Sequence, residues 1–455
     1  MNDPRLARLL LLLEHVPEFD RFPGVDELDA ELRRVAAAHP DTVAVRRIGT
    51  SRLGDAILCA TVGSGSRHAL VFAFPHPNEP VGGLTAIVLA ELLGREAALR
   101  EELDFTWHIV PCVDPDGTRL NEGWFGGPFT RTHYARHFYR PAPDEQVDWT
   151  FPFEYKDAYH DAVLPETVAL MRLIDEHRPA LLAALHNSET GGVYYYISRP
   201  APDLYPLLHA IPTRLGLRLD LGEAESAHTS RLAPAIFEAL NAEVEYDAKL
   251  ASGLKPDVTS GATSTAYAGR YGAFSVIPEV PYWTDPAADD TSETETTYAE
   301  VLRRQSAQLA ELHRTLESTY GRAAPELKLD TPFLRAGRAF TSAMGKAGED
   351  AARRAEEPAS ERLATAAEVH SCRDVVHMFR TRFGGILLRA LDAEVRAGMA
   401  GPRVRAAQYT LSGVFEAWCE EAESATPAVA LPIRSLVATQ LGAVLASALY
   451  LDDQS

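Results

Sequence analysis

Short apolar runs alternate with stretches of helical periodicity from about residue 5 to residue 316. Residues 180–185 are uniformly apolar, which predicts a strand that is buried on both faces. Residues 69–74, 105–110 and 274–277 predict further strands, and residues 25–39, 84–93 and 165–177 predict helices. This alternation constrains the chain to an α/β domain in which helices cover a sheet.

The pattern changes after Gly321, where residues 322–332 are rich in Ala, Pro and charged residues. Every periodic stretch beyond this segment is helical. A chain of 455 residues is also longer than one ordinary core needs. We therefore predict a catalytic-type domain over residues 1–322 and an all-α domain over residues 323–455. The helical domain is a candidate surface for homo-oligomer formation.

Charge and composition narrow the classes of partner. A formal net charge of −20 repels nucleic-acid backbones and anionic lipids, and no block of Lys or Arg offsets it. Residues 437–451 are apolar, but their moderate length and the presence of Gln440 favour a buried helix over a membrane span. The four cysteines are far apart, as expected of reduced intracellular thiols. We expect no nucleic-acid or membrane partner and a cytoplasmic location.

Two predicted strands end in residues that can bind a metal ion. His76 and Glu79 follow residues 69–74 at a tight turn, and His186 directly follows residues 180–185. Open α/β sheets gather their sites at the carboxyl ends of strands, so these side chains can converge. Three protein ligands leave one position for water, which is the arrangement of a catalytic zinc site. Each residue alone also has an ordinary structural explanation, as a solvated turn or a hydrogen-bonded strand end.

A fourth residue, Glu279, follows the predicted strand at residues 274–277. A carboxylate at a strand end beside a metal ion can accept and return a proton during hydrolysis. Taken singly, it is equally a glutamate paired with an arginine. His370, Asp374 and His377 share one helix face, but we interpret this triplet as structural, with the carboxylate pairing the imidazoles.

The motifs around His76, Glu79, His186 and Glu279, in this order along the chain, resemble those of the zinc carboxypeptidase family of the carboxypeptidase A type. The family pattern is H-x-x-E, then N-P-D-G, then a lone His and a late Glu, and the resemblance covers residues 25–281. Residues 48–54 are similar to the family's I-G-x-S-x-x-G hairpin, and residues 114–117 (DPDG) are similar to N-P-D-G. The resemblance implies a mixed, mostly parallel sheet of eight strands between helices. It implies one zinc ion per chain on His76, Glu79 and His186, with Glu279 as the general base and acid.

The chain departs from the family where peptide-cleaving members carry an Asn-Arg pair that clamps the terminal carboxylate of the substrate. Residues 148–152 read DWTFP at the corresponding place. Nearby arginines are candidates for two roles. For a contact to the oxyanion we favour Arg119 and Arg140, and for an alternative anion clamp we name Arg131 and Arg136. Surface pairing is their alternative role. We also predict that Asn187 binds the substrate. Three tyrosines, Tyr267, Tyr271 and Tyr282, are candidates for a further substrate contact, and of these we name Tyr271, although their spacing in the sequence favours none of them.

We therefore predict a zinc metallopeptidase or amidase that is carboxypeptidase-like but has an atypical substrate, such as a peptide or an amidated or acylated amino acid. One alternative is an aspartoacylase-like deacylase of N-acyl amino acids, because Leu185, His186 and Asn187 are similar to the L-H-N of that group. Another is a non-catalytic metal-binding relative that uses its helical domain for interaction.

Overall fold

The computed structural model describes residues 3–224, 229–251, 260–425 and 428–454. The α-helices in chain order are α1 (Pro4–Leu13), α2 (Val25–Ala38), α3 (Val81–Arg95), α4 (Ala97–Leu103), α5 (Pro115–Arg119), α6 (Glu122–Phe125), α7 (Arg131–His137), α8 (Pro165–His177), α9 (Tyr205–Arg214), α10 (Ala242–Ala251), α11 (Ser264–Gly269), α12 (Tyr298–Ala323), α13 (Pro332–Ala355), α14 (Ala366–Arg396), α15 (Pro402–Ala425) and α16 (Ile433–Asp453). The helices predicted at residues 25–39, 84–93 and 165–177 are confirmed as α2, α3 and α8.

The strands in chain order are β1 (Val43–Thr50), β2 (Ala56–Val62), β3 (Arg67–Ala73), β4 (Phe105–Val110), β5 (Phe153–Tyr155), β6 (Ala158–His160), β7 (Leu181–Leu185), β8 (Thr190–Gly191), β9 (Tyr194–Ile197), β10 (Arg231–Ala233), β11 (Ile236–Glu238), β12 (Phe274–Glu279), β13 (Trp283–Thr284), β14 (Glu293–Thr297), β15 (Leu363–Thr365) and β16 (Val429–Ala430). The four strands predicted from apolar runs are confirmed as β3, β4, β7 and β12.

Among the described residues, nine strands form the main sheet in the order β1-β2-β4-β3-β7-β12-β9-β11-β10. The pairings of β3 with β4 and β7, of β7 with β12 and of β9 with β11 are parallel. The remaining pairings in this sheet are antiparallel. The sheet is therefore mixed, as predicted, with one strand more than the family resemblance implies. Its parallel centre contains β3, β7 and β12, whose carboxyl ends carry the predicted site.

Helix α3 packs unusually close to the ends of two of these strands. A Cβ atom added at Gly82 would lie 2.8 Å from Leu185 Cβ and 3.0 Å from Ala73 Cβ. Only glycine permits this approach, because any larger residue would push the helix away from both strand ends. The glycine thus lets α3 begin directly behind the two loops that carry His76 and His186.

The helical C-terminal region is confirmed, and it is joined closely to the sheet domain. The predicted boundary at residue 322 lies at the end of α12, which packs against α13 and α14. Helix α16 returns to the sheet and packs against α3, α9 and β12. By length and composition α16 alone among the described helices could cross a membrane, but 72% of its most apolar window is buried inside the protein. It is a core helix, as predicted from Gln440.

Candidate metal centre

His76, Glu79 and His186 converge at the carboxyl ends of β3 and β7. One donor atom from each of the three lies within 4.8 Å of the other two. His186 Nδ1 lies 3.1 Å from Glu79 Oε2, and the ring centroids of His76 and His186 are 5.0 Å apart. All three residues are buried. The sheet therefore brings together the three predicted ligands although 110 residues separate His76 from His186 in the numbering.

The donor set fits a zinc ion. His76 Nδ1 is buried and has no hydrogen-bond partner among the described residues, so it is available as a ligand. Two imidazole nitrogens and one carboxylate oxygen are a combination that catalytic zinc sites use.

Glu279 ends β12 beside this cluster. An isolated parallel bridge joins Glu279 to His186, and Glu279 Oε1 lies 3.6 Å from His186 Nδ1. Its side chain is only 7% exposed. The predicted proton-handling carboxylate is therefore adjacent to the three candidate ligands.

The two ligand histidines differ in their electrostatic environment. Burial, together with the Arg140 guanidinium, holds the pKa of His76 well below its usual range. Burial also opposes the charged form of His186, but the carboxylates of Glu79, Glu279 and Asp148 outweigh burial and raise its pKa to about 9. Without a metal ion, His186 is therefore protonated at neutral pH and His76 is not.

This difference predicts that zinc uptake at pH 7 releases about one proton per chain from His186, because a ligating imidazole must be neutral. Calorimetric titration in two buffers of different ionisation enthalpy measures that number. In His186→Asn the proton release from this residue should be absent. Zinc binding without proton release in the wild-type protein would contradict the assignment of His186 as a ligand.

Of the four predicted arginines, the structure brings only Arg140 to the metal centre. Its Nη1 lies 3.5 Å from Glu79 Oε1, its Nε donates to Gln146 Oε1 at 3.1 Å, and its guanidinium lies over the Trp149 ring. Among the predicted arginines it is therefore the one placed to contact a substrate oxygen. Gln146 was not identified from the sequence, since a glutamine in a loop gives no pattern.

The other three arginines are held elsewhere by carboxylates. Arg119 pairs with Asp26 and Asp55, each at 2.7 Å, because the short helix α5 directs it away from the pocket. Arg136 pairs with Glu416 on the surface at 2.6 Å. Arg131 is buried, with Asp374 at 2.8 Å and Glu189 at 3.7 Å, so it supports the wall of the pocket. The geometry gives no support to catalytic or clamping roles for these three.

Asn187 lines the pocket, but its amide is occupied by the backbone. Its Oδ1 accepts a hydrogen bond from Val81 N, and its Nδ2 donates to Val280 O, both at 3.3 Å. Tyr271 lies outside the pocket because its hydroxyl donates to Asp175 at 2.8 Å. The structure therefore places Asn187 as a connector between the start of α3 and the residue that follows β12, and it does not bring Tyr271 to the site.

The pocket above the metal centre is a cavity of about 340 Å³ with walls from both parts of the chain. The sheet domain contributes the metal centre together with Asp148, Trp149 and Tyr196. One face of α14 contributes residues spaced four apart, namely His370, Asp374, Met378 and Arg382. The helical region is therefore part of the pocket, and His370 and Asp374 lie on its wall. The interpretation that Asp374 pairs with the neighbouring imidazoles is wrong, because its carboxylate pairs with Arg131 at 2.8 Å, while His370 faces Asp285 at 3.6 Å.

Two buried contacts tie the helical region to the loop after His186. Arg382 Nε donates to Glu189 Oε2 at 2.6 Å, and both side chains are almost fully buried. Gln440 Nε2 in α16 donates to the His186 carbonyl at 2.7 Å, while its Oε1 accepts from Thr85 Oγ1 at 2.8 Å. In the sequence, a single glutamine within an apolar helix indicated that Gln440 is buried and therefore needs hydrogen-bond partners. No sequence pattern pointed to Arg382.

Comparison with known proteins agrees with this geometry. A family model described as zinc carboxypeptidase matches residues 28–265, just over half of the chain. No curated protein matches the chain. Glu279 and the helical region lie beyond the matched segment.

Solved structures that are similar to this chain at low identity include metallocarboxypeptidases. Carboxypeptidase A from Helicoverpa armigera is 17% identical over 78% of this chain and 81% of its own, with a TM-score of 0.39. A metallo-carboxypeptidase from Burkholderia cenocepacia is 15% identical over 56% and 60% of the two chains, with a TM-score of 0.35. The assignment rests on the family model, whose matched segment contains His76, Glu79 and His186. The chain therefore belongs to the zinc carboxypeptidase family.

Proposed function

We propose that this protein is a zinc-dependent hydrolase of peptide or amide bonds whose substrate needs no free terminal carboxylate. The observation that carries the proposal is the convergence of His76, Glu79, His186 and Glu279 at one end of an open cavity. His76, Glu79 and His186 would hold the zinc ion. When bound, zinc supplies Lewis-acid polarisation of the scissile carbonyl and a water molecule of lowered pKa.

The remaining chemistry belongs to side chains of this chain. Glu279 is close enough to the ligands to take a proton from a water molecule and to deliver it to a leaving nitrogen. Arg140 presents a guanidinium beside Glu79, where negative charge develops on the carbonyl oxygen of the substrate. The edge of Trp149 packs against His76 with ring centroids 5.2 Å apart, which restricts water at that side.

Substrate selection follows from the residues that stand in place of the Asn-Arg pair. Asp148 is buried, accepts a hydrogen bond from Ser264 N at 3.2 Å, and faces His186 Nε2 at 3.8 Å. An aspartate in either protonation state lacks the paired N–H donors with which arginine clamps a carboxylate. This wall therefore favours an amide, an ester-like or another uncharged group over a terminal carboxylate.

A substrate panel tests the proposal. The zinc-loaded protein is given matched peptides with free or amidated C-termini, and N-acyl amino acids. A charge-assisted hydrogen bond contributes about 1.5–3 kcal/mol, so an enzyme with a clamp prefers the free acid by roughly 10-fold to 100-fold. We expect this protein to hydrolyse the amidated peptide at least as fast as the free acid.

Each other outcome contradicts part of the proposal. A strong preference for the free acid would contradict the absence of a clamp. Hydrolysis of N-acyl amino acids alone would identify a deacylase, and a fully zinc-loaded protein that hydrolyses none of the panel would be a non-catalytic relative.

A further inference from the structure

A second cluster of histidines lies at the opposite end of the strand that leads to His76. His68 is near the start of β3, His108 is on β4, and His177 is the last residue of α8. In the parallel pairing of β3 with β4, His68 is opposite Thr106 and Leu70 is opposite His108. His68 and His108 are therefore diagonal neighbours on one face of the sheet, and α8 brings His177 onto that face.

The three rings are in direct contact. His68 Nδ1 lies 3.0 Å from His108 Nε2. The rings of His108 and His177 are stacked with centroids 3.7 Å apart and planes within 13°. One ring nitrogen from each histidine lies within 4.8 Å of the other two. A hydrogen bond between neutral rings explains why His68 and His108 lie close together, but it does not explain why the His177 ring lies against them.

We propose that His68, His108 and His177 bind one divalent transition-metal ion, such as Zn²⁺ or Cu²⁺, at a site separate from the catalytic centre. Imidazole nitrogen is a preferred ligand of these ions. A zinc ion about 2.0–2.1 Å from each nitrogen places two tetrahedral ligand nitrogens about 3.3 Å apart, close to the His68–His108 spacing. When the ion binds, the proton that these two rings share moves to the other nitrogen of its own ring, so that both rings stay neutral and each offers one lone pair to the ion.

The surroundings permit an ion to enter. His68 and His177 are half-buried, so the fourth coordination position is open to water, while His108 is buried. Burial and the neighbouring histidines lower the pKa of His108 to about 3, so this ring is in the neutral form that ligates. His177 also ends a 13-residue helix, where the carbonyl groups favour a cation.

Two charged groups face the cluster from outside. Arg46 Nη2 lies 3.3 Å from His177 Nε2, and Glu176 Oε2 lies 3.7 Å from the same nitrogen. Arg46 and Glu176 pair with each other at 3.2 Å, and both are well exposed. Their charges offset each other, and both side chains are free to turn toward solvent when the ion binds.

The position assigns this site a structural role. His68 lies five residues before the end of β3 at Ala73, which at about 3.3 Å per residue puts roughly 17 Å of strand between this cluster and the turn that carries His76. An ion at the histidine cluster is therefore too far away to contact a substrate on the catalytic zinc. It would fasten the end of α8 to β3 and β4.

Metal stoichiometry on the full chain tests the site. After removal of metals with a chelator, we expect the wild-type protein to bind two Zn²⁺ per chain at micromolar or lower free zinc. His177→Gln and His186→Asn should each bind one, and the double variant should bind none. His15→Gln, which changes an exposed histidine outside both clusters, is the matched control and should bind two.

Electron paramagnetic resonance of Cu²⁺ identifies the ligands. In His186→Asn, the bound copper should show hyperfine coupling to imidazole nitrogens that is lost in His177→Gln combined with His186→Asn. One zinc per chain in the wild type, or a second zinc that persists in both His177→Gln and His68→Gln, would overturn the proposal. His177→Gln should retain full hydrolysis, so failure of this site is distinguishable from failure of the catalytic assignment.

Discussion

Substitution of Glu279 by glutamine is expected to lower kcat by about 10²-fold to 10⁴-fold, the range that a positioned general base contributes. Glutamine has nearly the same size and keeps the hydrogen-bonding shape of the side chain, but it cannot take a proton. Glu279 lies 3.6 Å from His186 Nδ1 and is almost fully buried, so a carboxylate ion from the solution cannot take over its role. Zinc content should remain at the wild-type value, since His76, Glu79 and His186 are unchanged.

Steady-state kinetics on the best substrate of the panel, with zinc content measured in the same sample, checks this result. Glu238→Gln is the matched control, because Glu238 also ends a strand of the main sheet but is exposed. Its kcat should stay within about twofold of the wild type. Equal rates for Glu279→Gln and the wild-type protein would remove Glu279 from the proposed role.

Substitution of Arg382 by methionine is expected to reduce the free energy of unfolding by about 3–5 kcal/mol. The guanidinium donates to Glu189 at 2.6 Å, and the Glu189 side chain is 1% exposed. Without Arg382, the cation that remains near the Glu189 carboxylate among the described residues is Arg131, at the longer distance of 3.7 Å. The cost arises from a buried charge that has lost its main partner and cannot reach water.

Urea unfolding measures the loss of unfolding free energy in Arg382→Met, and two further variants serve as comparisons. Arg136→Met breaks an exposed pair with Glu416, whose side chains are 50% and 46% exposed, and should cost about 0–1 kcal/mol. Adding Glu189→Gln to Arg382→Met should recover much of the stability, because the orphaned charge is then gone. If Arg382→Met costs no more than Arg136→Met, the pair does not fasten the helical region to the site.

The candidate ligands were predictable because each follows a strand that its own sequence specifies. Residues 180–185 are apolar without alternation, which predicts a central parallel strand, and His186 must then emerge at a carboxyl end. The same logic places His76 after β3 and Glu279 at the end of β12. Local pattern and sheet connectivity together are enough to bring these residues to one edge.

The roles of the arginines were not predictable from pattern. Arg119 and Arg140 looked equivalent in the sequence, yet Arg119 is held by Asp26 and Asp55, while Arg140 lies beside Glu79. A long charged side chain reaches several partners, and which one it meets depends on elements far away in the chain. Proximity to a motif therefore did not indicate proximity to the site.

By itself, the sequence determined the α/β core, the helical C-terminal region and the convergence of His76, Glu79 and His186 at one edge of the sheet, because these follow from periodicity and from where strands end. Only the tertiary structure decided that α14 walls the pocket, that Gln440 holds the His186 carbonyl and that Arg382 pairs with Glu189, a residue 193 positions earlier. Such contacts depend on how separate elements pack and on which buried polar groups then need partners. Neither condition leaves a repeating pattern along the chain.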